Sequence, residues 1–203
     1  NLLDGKAATN LALIGKQEGT NFGGSLLVGH TTTGTLNTAS NNIGIGIGAM
    51  DAITSGDDNV VMGVYAGSDI NSGGKNTLMG RLSGVAITTG SNNIGIGANS
   101  LYAITTQSHN IGIGVYAVYR AAGAGNIGIG SNALQEVVGG VNNIGLGFNA
   151  GDNITSGDGN VIIGSIDADS ATGDTQLIIA DGTDGSVAWI KGDSSANVVI
   201  GGT

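Results

Sequence analysis

The stretch N-I-G-I-G-A-N-S-L-Y-A-I-T-T-Q-S-H, residues 93–109, is followed at once by a second N-I-G-I-G at residues 110–114. The same five-residue motif starts at eight places. It consists of an Asn, three apolar or small residues and a closing Gly. Those places are Asn42, Asn59, Asn76, Asn93, Asn110, Asn126, Asn143 and Asn160. They lie 17 residues apart, except for a step of 16 between Asn110 and Asn126. A period this constant predicts stacked copies of one small unit rather than a globular domain.

The residue types within one copy predict an all-β structure, a parallel β-solenoid (β-roll) with rungs of 16 or 17 residues. Counting the Asn as position 1, positions 2 and 4 are almost always Ile, Val, Leu or Met. Residues two apart in a strand share a face, so we expect these positions to line the interior of the coil. Position 5 is always Gly, which predicts a turn after the strand. An apolar residue at position 12 predicts a second short strand.

Position 3 is never polar, although this alternation places it on the outside of the coil. Its residues are Gly44, Val61, Leu78, Gly95, Gly112, Gly128, Gly145 and Ile162. An exposed apolar row would be unusual on a solitary chain, so we expect these residues to form the interface of a homotrimer around a three-fold axis. The alternative is that Gly is present there only for flexibility.

The Asn at position 1 recurs once in every rung, at the eight starts given above. Stacking would bring these side chains together, and their amides are expected to form a hydrogen-bonded Asn ladder. A turn residue that satisfies local backbone groups would also explain them, and a ligand site is a weaker alternative.

Three regions are expected along the chain. Residues 1–24 read as degenerate N-terminal rungs, residues 25–175 as β-solenoid repeats, and residues 176–203 as a C-terminal β cap of three short strands. The sequence begins with Asn1 rather than Met, and we expect it to be a piece of a longer protein.

Composition narrows the classes of partner. The net charge is −9 with only six Lys or Arg, so the sequence predicts no nucleic-acid binding. No apolar run reaches the length of a membrane span, and membrane insertion is not expected. Cys is absent, which excludes disulfides and thiolate metal sites.

The sequence offers little catalytic chemistry. No nucleophile and base stand out as a pair, so an enzyme is not expected, and neither is a cofactor or a bound metal. His30 and His109 fall in or beside polar turns and are expected to be solvated. Turn aspartates such as Asp57, Asp58 and Asp158 could bind Ca²⁺ weakly, but an ordinary role in turns is the favoured interpretation.

Tyrosines are the best candidates for contact with a glycan. Tyr65 and Tyr116 occupy position 7, and Tyr102 and Tyr119 occupy position 10, where they could form small aromatic patches on the outer surface. Packing within the surface would explain them equally well.

The repeats resemble those of two families of fibrous proteins. N-N-I-G-I-G at residues 41–46 and 92–97 is similar to the head repeat N-S-V-A-I-G-x-x-S/A of trimeric autotransporter adhesins, which form left-handed parallel β-rolls. Residues 76–83 and 126–134 resemble the N-T-A-I-G-x-x-A-L repeats of bacteriophage tail fibres, and V-V-I-G-G-T at residues 198–203 resembles a segment that precedes a cleavable chaperone in such fibres. The resemblance covers about residues 11–175. It implies homotrimers of parallel β-rolls, although this repeat is longer and carries Gly where the adhesins have Ala.

The expected function is therefore that of a structural and adhesive segment of a phage tail fibre, a rigid trimeric rod involved in host attachment. Its expected partners are two further copies of itself, other fibre or tail proteins and a glycan or protein receptor on the host cell, and its expected location is the extracellular virion. The alternative is the head of a bacterial trimeric surface adhesin at the cell surface. A third reading, an ice-binding β-solenoid, would need an unbroken Thr row, but position 13 is Thr in only five of the eight copies.

Overall fold

The chain folds as a stack of short parallel strands. The computed structural model describes residues 17–19, 22–29 and 35–201, and these contain strands and turns but no helix. The strands are β1 (Gln17–Gly19), β2 (Phe22–Val28), β3 (Ala39–Ser40), β4 (Ile43–Ile45), β5 (Val60–Met62), β6 (Thr77–Met79), β7 (Ile94–Ile96), β8 (Ile111–Ile113), β9 (Ile127–Ile129), β10 (Ile144–Leu146), β11 (Val161–Ile163), β12 (Leu177–Ala180), β13 (Ala188–Gly192) and β14 (Val198–Ile200). The prediction of an all-β parallel solenoid is confirmed.

Ten strands, β2 and β4 to β12, pair in parallel in the order of the sequence. Their register follows the repeat, because Ile94 pairs with Ile111 and Ile111 pairs with Ile127. The 16-residue step therefore leaves the strand register intact, and the missing residue falls in a turn. At about 4.8 Å per strand, the ten strands form a stack about 43 Å long.

The two faces of each strand are opposite to the orientation expected from the sequence. Position 3 points inward, and all eight of its residues are buried within their own chain: Gly44, Val61, Leu78, Gly95, Gly112, Gly128, Gly145 and Ile162. Positions 2 and 4 point outward, and Ile45 keeps 39% of its surface exposed. The period-2 alternation was predicted correctly, but its direction was wrong, so these eight residues cannot form an interface between chains.

The coil interior is too narrow for two large side chains per rung, which explains four of the five Gly residues at position 3; the fifth, Gly145, shares its rung with Gly151, and a Cβ there would lie 2.8 Å from Leu134 of the preceding rung. Where position 3 is Gly95, position 9 supplies the buried Leu101, and where position 3 is Leu78, position 9 is Gly84. A Cβ added to Gly84 would lie 2.7 Å from Leu78 Cδ2. Small residues at position 8 and mostly Ile at position 12 complete the core, as in Ser100 and Ile104.

The Gly at position 5 makes the turn that was predicted after each strand. All eight have φ between +112° and +143°, a conformation that L side chains rarely adopt. A Cβ added to Gly80 would also lie 2.5 Å from the carbonyl oxygen of Gly97 in the next rung. Both the conformation and the close approach of two backbones therefore require glycine here.

The second short strand predicted around position 12 is not found among the described rungs, where those residues form turns. Backbone hydrogen bonds nevertheless join the turns of neighbouring rungs. Leu101 N donates to Ala117 O at 3.1 Å, and Ala103 N donates to Tyr119 O at 2.9 Å. The rungs are thus bonded around most of their circumference, which favours a stiff coil.

Both ends of the solenoid carry antiparallel strands. β1 pairs with β2, while β13 and β14 pair successively onto β12. β12 itself still pairs in parallel with β11, so the ladder continues past the predicted boundary at residue 175. Of the degenerate N-terminal rungs predicted in residues 1–24, residues 1–16 and 20–21 lie outside the described part of the chain.

Candidate interaction surfaces

The outward side of the parallel strands forms one continuous apolar surface, which we call the strand face. It consists of positions 2 and 4: Leu26, Ile43, Val60, Thr77, Ile94, Ile111, Ile127, Ile144, Val161 and Leu177, with Val28, Ile45, Met62, Met79, Ile96, Ile113, Ile129, Leu146, Ile163 and Ile179. Thr77 is its only polar member. All twenty residues are half-buried or exposed in the single chain.

The apolar character of the strand face extends beyond these two rows. At position 6, Ile47 is 59% exposed and Phe148 is 56% exposed. In the terminal hairpin, Ile190 lies opposite Ile179 and Ile200 lies opposite Ile190, so both continue the row of position 4. Soluble monomers rarely expose a contiguous apolar surface of this extent.

The Asn ladder predicted from the repeat is present inside the coil. Asn143 donates from its backbone N and from Nδ2 to Oδ1 of Asn126 at 3.1 and 3.0 Å, and also from Nδ2 to Gly157 O at 2.9 Å. The eight Asn side chains are fully buried. Their donors and acceptors serve the coil, so the ladder stabilises the structure and offers no surface to a ligand.

The ladder is weakest at the 16-residue rung. Asn110 Nδ2 donates to Ser108 O at 3.4 Å, whereas five other ladder amides donate to the Asn of the preceding rung, namely those of Asn59, Asn76, Asn93, Asn143 and Asn160. Asn126 donates its backbone N to Asn110 Oδ1 at 3.0 Å, while its Nδ2 donates to Gly140 O. The shortened turn thus replaces amide pairs with single backbone contacts.

Three of the four candidate tyrosines form one aromatic cluster. The rings of Tyr102 and Tyr119 stack with centroids 4.9 Å apart and planes 19° apart. Tyr116 meets Tyr119 edge to face at a centroid distance of 5.3 Å. Tyr65 is exposed on a different rung and takes no part in this cluster.

Two carboxylates, those of Asp152 and Asp167, lie close together near the C-terminal end of the solenoid. Asp152 and Asp167 line an open cavity of about 530 Å³ together with Phe148, Asn149 and Asp184. Partial burial raises the pKa of Asp152 from its ordinary 3.8 to about 7, reinforced by a hydrogen bond and by charge repulsion from Asp167 and a smaller repulsion from Glu136. Asp152 therefore keeps its proton to a higher pH than an ordinary aspartate does.

The turn aspartates connect neighbouring rungs. Asp57 Oδ1 accepts hydrogen bonds from Ser40 N at 2.7 Å and Ser40 Oγ at 2.8 Å. Asp158 Oδ1 accepts from Val141 N at 2.8 Å. These contacts fit the role in turns that the sequence favoured. Within the described residues, no group of three His, Cys, Asp or Glu could hold a metal ion, and His109 is exposed.

Three of the five threonines at position 13, Thr54, Thr88 and Thr155, use their hydroxyls for hydrogen bonds between rungs. Thr88 Oγ1 donates to Thr105 O at 3.2 Å, and Thr155 Oγ1 donates to Ala171 O at 3.2 Å. Such hydroxyls are already engaged between rungs. Among the described residues, no helix has the length and apolar character needed to span a membrane.

No family model, curated protein or solved structure matches this chain. The architecture is therefore established from the structure of this chain alone: a parallel β-solenoid with an internal Asn ladder and an outward apolar strand face.

Sequence reasoning missed the strand face because it took the more apolar rows as the interior. The sequence held a signal that would have corrected this: in seven of the eight copies one of positions 3 and 9 is large and the other is Gly or Ala, the exception being Gly145 with Gly151. Val61 is followed by Gly67, and Gly128 is followed by Leu134. Side chains that share one narrow interior show this compensation, whereas residues on opposite sides of a coil wall do not. The Asp152 and Asp167 pair had no such signal, since Asp167 lies in an irregular rung.

Proposed function

We infer that this chain is a rod-like segment of an attachment fibre of the phage tail-fibre type, in which three copies pack through their strand faces. The observation that carries this proposal is the strand face itself, ten rungs long, apolar at nineteen of twenty positions and uncovered in the single chain.

Apolar burial is the driving force for such packing. Removing this surface from water contributes about 25 cal/mol for each Å² of apolar area, and interfaces of permanent homo-oligomers resemble a protein core. The face carries no charged side chain at positions 2 or 4, so burial of these two rows would desolvate no ion. The net charge of −9 resides elsewhere and keeps the rest of the rod solvated.

Three copies are favoured over two by the resemblance to trimeric β-roll proteins. Every rung presents the same outward residue types in the same register, so a closed assembly can use one patch on every subunit along its whole length. The assembly would be a rod with all strand faces directed at its axis.

The mechanical role follows from the bonding between rungs. Strand pairing, turn hydrogen bonds and the buried Asn ladder all run along the rod axis. A stiff rod holds surface sites at fixed spacing, and three chains repeat each site three times. Weak individual contacts with a host surface would then combine by avidity.

The deciding measurement is the mass in solution at micromolar concentration by light scattering. We expect three times the 19.8 kDa of one chain. The variant Ile96→Lys/Ile113→Lys places two charges on the strand face and should shift the mass toward the monomer. Its matched control is Thr89→Lys/Thr106→Lys, which adds the same charges at exposed turn positions of adjacent rungs. A monomeric wild-type protein would refute the proposal.

A further inference from the structure

We propose that the Tyr102, Tyr116 and Tyr119 cluster is a binding platform for a neutral pyranose glycan. This rests on the proposed attachment function and specifies the ligand class of one surface on the rod.

The cluster concentrates a scarce residue type at one place. The chain has only seven aromatic residues, yet three meet within two consecutive rungs. Tyr102 and Tyr119 both occupy position 10, so the repeat places one above the other and the stack follows. Tyr116 is 39% exposed, and its ring extends the patch toward solvent.

The platform lies on turn residues and not on the strands that carry the strand face. Tyr116 and Tyr119 belong to the turn that follows β8. Covering positions 2 and 4 in an oligomer does not require these turns to be buried. The cluster can therefore remain accessible on the outside of the rod.

The chemistry around the rings suits a sugar. The face of an aromatic ring is electronegative and attracts the weakly positive C–H groups on one side of a pyranose ring. Tyrosine also supplies a large, rigid contact area at a low entropy cost. Among the hydrogen bonds of the described residues, none uses the hydroxyls of these three tyrosines, which leaves them available to sugar hydroxyls.

Polar groups at the edge of the platform favour a neutral ligand. Arg120 and Glu136 form an exposed ion pair at 2.8 Å, and both offer further hydrogen bonds to hydroxyl groups. Because Glu136 already balances Arg120, the site has no free positive charge for a carboxylate or phosphate. The net charge of −9 further disfavours anionic polysaccharides. Gln135 occupies position 10 of the next rung, the position that Tyr102 and Tyr119 hold in their own rungs.

The test uses the intact wild-type protein on an array of purified neutral and anionic bacterial surface polysaccharides. We expect binding to neutral members only. Tyr116→Ala and Tyr102→Ala should each weaken that binding at least tenfold. Tyr65→Ala is the matched control, because Tyr65 also occupies position 7 with φ near that of Tyr116 and is exposed away from the cluster. It should change the binding less than twofold.

Three results would overturn the platform: no neutral glycan bound by the wild type, binding that both cluster variants retain, or binding confined to anionic glycans or to a protein receptor. The mass measurement separates this from the rod proposal. A trimer without glycan binding removes the platform alone, whereas a monomer with Tyr116-dependent glycan binding removes the trimeric rod and retains the platform.

Discussion

Oδ1 of Asn143 accepts two hydrogen bonds from Asn160, one from the backbone N and one from Nδ2, both at 2.9 Å. One buried oxygen thus fixes both the backbone and the side chain of the next rung. The side-chain amide of Asn143 in turn donates from Nδ2 to Oδ1 of Asn126 in the preceding rung. Each Asn is therefore bonded to both neighbours, which makes the ladder a continuous element along the rod.

Asn143→Ala should lower the free energy of unfolding by about 2–4 kcal/mol, because it leaves buried donors on Asn160 without their acceptor. Asn110→Ala should cost about half as much, since Asn110 Oδ1 accepts only from Asn126 N and its own amide makes a long 3.4 Å bond. Urea denaturation followed by circular dichroism measures both. Equal losses for the two variants would contradict the view that the ladder is weakest at the short rung.

The size compensation between positions 3 and 9 predicts a strong coupling within one rung. Leu78→Gly should destabilise the fold by about 3–5 kcal/mol through the cavity it leaves. Gly84→Leu should also destabilise it, because the added side chain meets Leu78 at once.

The double variant Leu78→Gly/Gly84→Leu restores one large side chain per rung, as in the neighbouring rung of Gly95 and Leu101. It should recover at least half of the summed loss, measured as a double-mutant cycle in urea. Additive losses would show that the two positions do not share one space.

Gly80→Ala should destabilise the protein by about 2–5 kcal/mol, because an L residue at φ +135° is strained and the new Cβ meets the backbone of Gly97. The control is Gly139→Ala, where a Cβ would meet nothing within 4 Å. That change should stay within about 0.5 kcal/mol. Thermal melting of the two variants side by side checks the contrast, and a comparable loss in both would argue that backbone flexibility alone explains these glycines.

The periodic elements of this fold could be predicted from sequence, because one five-residue motif contains the residues of the strand, the turn and the Asn ladder. N-I-G-I-G at residues 93–97 and at 110–114 gave β7 and β8, the positive φ of Gly97 and Gly114, and the stacking of Asn93 on Asn110. Each of these depends on local residue types and on the spacing alone.

The direction of the strand faces could not be read from hydrophobicity, because both sides of the strand are apolar. Ile94 and Ile96 are larger than Gly95, so a simple comparison assigns them to the core. The core instead takes its bulk from Leu101, which lies in the turn after β7. Contacts that involve irregular segments could not be predicted from the repeat either. Asp152 is an example, because its partner Asp167 comes from a rung that departs from the repeat.

Asp152→Asn should change the pH dependence of stability. The folded pKa of Asp152, about 7, lies above the ordinary value of 3.8, so the folded state holds a proton that the unfolded chain releases. This contribution to stability is present in full below about pH 4 and is lost as the pH rises through 7.

The Asn variant carries no titrating group at this site. We therefore expect the difference in stability between the variant and wild type to shift in favour of the variant by about 1 kcal/mol from pH 4 to pH 8, a figure reduced because Asp152 is partly exposed to solvent. Asp167→Asn removes the carboxylate that repels Asp152 but leaves Asp152 partly buried, and since burial is the largest cause of the raised pKa, this variant should remove only part of the same pH dependence. Urea midpoints at pH 4, 6 and 8 test this, and a constant offset between Asp152→Asn and wild type across that range would show that the pKa of Asp152 is not raised in the folded state.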